Sequence, residues 1–133
     1  MKIVLLLLSI LSAGYVAKPF VSAHAEQERL EDEYRHINDG YFDGNLPRDT
    51  VIRFTDNIPI NEKVMGLTDV EGDHFVIYIS PKYSPVSSTA DEVEIHEMCH
   101  IATFQDDVFD DHGPKWQQCM LNLAERGAFS SIW

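Results

Sequence analysis

The sequence has no cluster of lysines or arginines. Ten basic residues stand against 22 acidic ones, for a formal charge of −12. A nucleic-acid binder releases counterions from phosphate through a basic stripe, and none is present, so this domain alone is not expected to bind nucleic acid. The same balance disfavours anionic membrane surfaces. No internal repeat or low-complexity linker divides the 133 residues, and a chain of that length holds a single core. Cysteine is scarce. Cys99 and Cys119 have no second cysteine at zinc-ligand spacing, which excludes a structural zinc ribbon. Each lies in a helical, mostly apolar pattern, and the expectation is two buried thiols, with a disulfide as the alternative.

Long apolar runs are also missing. The longest, Ile3 to Leu11, is short of the roughly 20 residues a membrane span needs. It follows Lys2 and precedes the small-residue sequences Val21-Ser22-Ala23 and Ala23-His24-Ala25, the order of a secretory signal. Residues 1–25 are read as a signal peptide and 26–133 as the mature domain, exported (secreted or periplasmic), without stable membrane association once cleaved.

What remains has the make-up of a globular protein, 44% hydrophobic and 11% aromatic. Leu30, Tyr34 and Ile37 mark one face of a helix over Glu26 to Asp39. Val51 to Thr55, Val64 to Val70 and His74 to Ile79 read as strands, with Glu71-Gly72-Asp73 as a turn. Thr89 with Glu92 has the spacing of a capping box for a helix running to about Phe104. An acidic loop, Gln105 to Asp111, leads to Gly113-Pro114, which opens a last helix with Trp116, Met120 and Leu123 as its stripe. The order implies an α+β domain.

The chemistry is concentrated in His96-Glu97-Met98-Cys99-His100, an H-E-x-x-H motif. Residues four apart on a helix project from one face, so the two imidazoles can share a metal ion. Glu97, next to His96, is placed to take the proton of a zinc-activated water. Catalytic zinc takes three protein ligands and keeps one position open. His112, after a loop long enough to turn back, is the favoured third ligand. Asp106 and Glu125 are the alternatives; Asp106 has the spacing of compact proteases whose pattern needs glycine where Thr103 stands. The four aspartates of the acidic loop are read as mostly solvated, with a role behind a ligand histidine as the alternative. Tyr78 and Tyr83 are read as core or surface residues rather than oxyanion donors, and His24, His36 and His74 as surface.

The pair His96-Glu97-Met98-Cys99-His100 and His112-Gly113-Pro114-Lys115-Trp116 resembles the SprT-like metallopeptidase domain, the family that includes Spartan and the germ cell nuclear acidic peptidase. The segment Asn38-Asp39-Gly40-Tyr41-Phe42-Asp43-Gly44-Asn45-Leu46-Pro47 is similar to the family's segment before its first strand. The resemblance spans about residues 28 to 127. It implies a minimal zincin-like fold, a three-stranded sheet packed on the H-E-x-x-H helix with N- and C-terminal helices. It also implies Zn2+ on His96, His100 and His112, with Glu97 as the catalytic base of a peptidase acting on protein or peptide. With no zinc ribbon or basic tail in the sequence and an export signal before it, the DNA-linked role of nuclear members is not expected to carry over. The expectation is a monomeric zinc endopeptidase. Its rivals are a catalytically idle metal-binding domain that recognises a protein partner, and a zinc hydrolase of a non-peptide substrate.

Overall fold

The computed structural model describes residues 22–59 and 63–130. The expected signal segment therefore lies almost entirely outside the described residues. Three helices and three strands follow in the order α1 (Ala23–Tyr41), β1 (Val51–Phe54), β2 (Gly66–Glu71), β3 (His74–Ile79), α2 (Ser87–Ala102) and α3 (Pro114–Glu125). This is the expected α+β arrangement. Among the described residues no helix is long and apolar enough to cross a membrane.

The sheet order is β1-β3-β2. β3 is central, parallel to β1 with Val51 opposite Val76, and antiparallel to β2 with Thr68 opposite Ile77. Because successive strand side chains alternate faces, Ile77 and Ile79 join Ile52, Leu30, Ile37, Ile95 and Met98 in the main core. Val76 and Tyr78 face the other way, onto a smaller cluster with Ile58. α1 packs on β1 and α2, while α2 packs on β2, β3 and α3. The metal-motif helix is thus held on several sides, which suits a site that requires fixed geometry.

α1 begins three residues before the apolar periodicity suggested, because the Ser22 hydroxyl caps it by accepting from Ala25 N at 3.1 Å. The candidate cleavage points Ala23 and Ala25 lie in this first turn. Buried Asn38 binds Leu46 in both directions, through its Nδ2 to the carbonyl and from the amide to its Oδ1, each at 3.0 Å. The Tyr34 hydroxyl donates to the Pro47 carbonyl at 2.8 Å. The Leu46-Pro47 segment is therefore pinned to α1 as the chain turns into β1.

The capping box is a correction. α2 starts at Ser87, with Val86 at the cap position and no side-chain cap bond, so Thr89 and Glu92 are already helical. The early start follows from the contact with α1. Arg29 binds Glu26 at 2.6 Å and Asp91 at 2.7 Å, and the Ser87 hydroxyl donates to Glu26. The cysteines are a second correction. Cys99 of α2 and Cys119 of α3 form a disulfide, with Cα atoms 5.8 Å apart. The apolar patterns that suggested two buried thiols place both on the facing sides of two packed helices, within bridging distance.

Candidate metal centre

The site is assembled by α2 and the loop that follows it. His96 and His100 stand one turn apart on α2, and the chain returns between residues 103 and 113 to bring His112 over them. Two local devices shape that return. Gln105 and Val108 pair through two backbone hydrogen bonds of 3.1 and 3.0 Å, with Asp106 and Asp107 between them at φ +54° and +60°. Positive φ at both central residues is the type I′ turn, which aspartate tolerates. Phe109 then packs on Phe75 of β3 and on Phe104, with ring centroids 6.1 and 4.7 Å apart. His112 itself takes φ +59°, and its amide donates to the Asp110 carbonyl at 2.9 Å.

The result is a compact triad. His112 Nε2 lies 2.9 Å from His96 Nε2 and 3.2 Å from His100 Nε2. The donor atoms of the three histidines lie within 4.8 Å of one another, forming the one such group among the described residues. Nitrogens bound tetrahedrally to zinc at about 2.0–2.1 Å are separated by about 3.4 Å, so the donor set and its spacing fit a metal ion of that kind. His100 Nδ1 lies 3.2 Å from the Asp110 carbonyl oxygen. Donation from that Nδ1–H leaves Nε2 free as a metal donor. Burial, with the neighbouring imidazoles, depresses the basicity of His96 to a pKa of about 4 and also lowers that of His100. Both are held in the neutral form a metal requires.

Glu97 turns toward β2. It is only 5% exposed, and its Oε2 accepts from the Thr68 hydroxyl at 2.6 Å. Burial raises its carboxyl to a pKa of about 7 despite that hydrogen bond. Gly66 closes the same corner. A Cβ there would lie 2.5 Å from Val93 Cγ1 and 3.0 Å from Glu97 Oε1, so a side chain would displace the carboxylate.

Trp116, expected as part of the buried stripe of α3, is half-buried against all three imidazoles, with ring centroids 4.7, 5.7 and 4.5 Å from His96, His100 and His112. Its indole N–H donates to the His96 carbonyl at 3.2 Å, and its amide to Asp110 Oδ2 at 3.0 Å. Gly113 is required between them, since a Cβ would sit 2.0 Å from Asp110 Oδ1. Thr68, Gly66, Asp110 and Trp116 thus serve the site. Of these, Gly113-Pro114-Lys115-Trp116 beside His112 was the sequence signal; Thr68 and Gly66, thirty residues upstream, gave none.

The alternative ligands stand apart from the triad. Asp106 is exposed at the tip of its turn, and Glu125 is exposed at the end of α3. Asp107 is exposed as a solvated loop residue should be. Asp111 Oδ1 lies 3.6 Å from His112 Nδ1, both exposed. Tyr78 bonds Glu71 on the far face of the sheet, and Tyr83 pairs with Lys82. His24 and His36 are exposed, and His74 is half-buried.

The SprT-like family model matches residues 30–131, most of the chain. The protein belongs to the SprT-like family. No curated protein and no solved structure matches it. Family membership marks this as a zincin-like domain of metallopeptidase type, and the triad is a group that could hold a metal ion.

Proposed function

We propose that this SprT-like protein is a zinc-dependent endopeptidase, with His96, His100 and His112 as metal ligands and Glu97 as the general base. The observation that carries the reading is the convergence of three imidazoles beside the buried carboxylate of Glu97, which shares a helix with two of them. Zinc held there would supply Lewis acidity, activating water and polarising a carbonyl oxygen. Glu97 accepts the proton of the attacking water and can return it to the leaving amine. A pKa of about 7 suits a group that must both take and give a proton near neutrality. Trp116 and Asp110 hold the imidazoles in place.

A peptide is favoured over a non-peptide substrate by the sheet. Gly66, Leu67 and Thr68 of β2 line the cleft that contains the triad, and among the described residues β2 pairs only with β3. The unpaired edge can take an extended peptide as an added strand. The idle-domain reading leaves a carboxylate held and tuned at the base position without use. The test is cleavage of an unfolded protein by the purified chain, with zinc, with a chelator, and as Glu97→Gln. The proposal requires turnover with zinc, loss with chelator, and an inert variant that still binds zinc. Turnover that persists in the variant refutes the role of Glu97.

Export through residues 1–25 and action as a monomer, without nucleic acid, belong to the same proposal. An oxidising compartment suits Cys99–Cys119. An intact mass from the native host that retains residue 1 would refute the export reading.

A further inference from the structure

We propose that the cavity beside Glu97 is a subsite for a bulky apolar side chain of a peptide substrate, next to the bond cleaved. The inference rests on the peptidase reading and adds its selectivity. The cavity, of about 430 Å³, is bounded on one side by His96 and Glu97. Its apolar walls come from three separate segments, Met65 and Gly66 at the start of β2, Val93 on α2, and Met120 and Phe129 from the C-terminal region, while Thr89 and Glu92 of α2 add a polar margin. A chain bound along β2 with its carbonyl at the triad therefore has a neighbouring side chain at the mouth of an apolar recess.

Three features give the recess its chemistry. First, it is mostly apolar in a protein of charge −12, and the ionisable side chains in its lining other than His96 are the carboxylates of Glu97 and Glu92. An acidic side chain would enter against both repulsion and desolvation. Second, the walls other than Val93 are not fully spent on the core. Met120 and Phe129 pack against the core with one side only, and Met65 is 44% exposed. Two unbranched methionine side chains adapt to different apolar shapes, so leucine, methionine and phenylalanine should all be accepted. Third, Gly66 has no side chain where a Cβ would press on Val93 and Glu97, and this keeps β2 close to the recess and to the base together.

The test is a peptide series with one varied residue on either side of a fixed cleavable bond, followed by mass spectrometry and kcat/KM. On one side of the bond, leucine, methionine or phenylalanine should exceed serine by about ten- to hundred-fold, with aspartate poorest. Met120→Lys should lower the apolar preference and raise cleavage of the aspartate peptide. Met120→Ala, a milder change to the same wall, should shift preference toward the largest side chains, and zinc content reports folding for both. Cleavage with a flat profile on both sides overturns the subsite and leaves the peptidase reading standing. Failure to cleave any peptide or unfolded protein overturns the peptidase reading, and the subsite with it.

Discussion

Thr68 and Glu97 meet across the seam between the edge strand and the metal-motif helix, the Thr68 hydroxyl 2.6 Å from Glu97 Oε2 and 3.2 Å from the Glu97 carbonyl oxygen. One carboxylate oxygen is thereby fixed, while the other lies against Gly66 in the cleft. Removing the hydroxyl while keeping the shape should let the carboxylate drift. Thr68→Val is expected to lower kcat by about 10–100-fold with KM and zinc affinity little changed, the scale typical for partners of a catalytic group. Thr68→Ser should retain activity. Steady-state kinetics with a chelator titration checks this; a parallel fall in zinc affinity would make Thr68 a structural residue.

The three candidate third ligands are separable by one measurement. His112→Ala should weaken zinc binding by more than about 100-fold, beyond what loss of a supporting group costs. Asp106→Ala and Glu125→Ala should stay within about two-fold of the parent, since both side chains are exposed and outside the triad. Competition with a chelator at one pH gives all three values. A collapse for Asp106→Ala with His112→Ala near the parent would overturn the ligand assignment.

The helices and strands were legible because each carries its own period. Leu30, Tyr34 and Ile37 read as one helical face, and His74 to Ile79 as a strand, from local spacing alone. The triad was legible for a related reason, since His96 and His100 are a local pattern and His112 follows within the next segment. Thr68 and Gly66 were not, because their meaning depends on β2 lying beside α2, a contact thirty residues apart in sequence. Trp116 packs on the core as its spacing suggests, but its contact with the triad was not legible. Its periodicity is that of a buried stripe, and only the returning loop puts imidazoles against its ring. Thr89 as a cap failed because the Arg29 contacts draw the helix start forward to Ser87.

The disulfide joins the metal-motif helix to the helix that carries Trp116. Closing a loop across a sequence separation of 20 removes freedom from the unfolded chain, worth about 3 kcal/mol in the chain-entropy account. Cys99→Ala with Cys119→Ala should therefore lower Tm by about 10 °C or more. Zinc affinity should fall as well, because Trp116 and His112 would be less firmly seated. Calorimetry and chelator competition on oxidised protein, reduced protein and the double variant test both effects. An unchanged Tm with intact zinc binding would show that helix packing alone holds α3.

Glu94 gives stability an unusual dependence on pH. Its side chain is fully buried between α1 and α2, and neither carboxylate oxygen has a hydrogen-bond partner. Burial raises its pKa well above 4.5, aided by the nearby Asp91, Glu33 and Glu26 carboxylates and opposed by the Arg29 guanidinium. The folded state therefore keeps a proton that the unfolded chain releases above about pH 4.5. The contribution to stability is fully present below that pH and declines as pH rises toward the folded pKa, by at most about 1.4 kcal/mol per pH unit for one proton. Glu94→Gln keeps the shape and removes the titration. The variant should match the parent near pH 4.5 and have the higher Tm near pH 7.5, the gap widening as pH rises toward the folded pKa. Comparing the two proteins at each pH cancels the contributions of Glu97 and the histidines, which are common to both. Thermal unfolding across that range gives the result, and a gap that does not grow with pH would mean that Glu94 is charged in the folded protein with a partner that stabilises it.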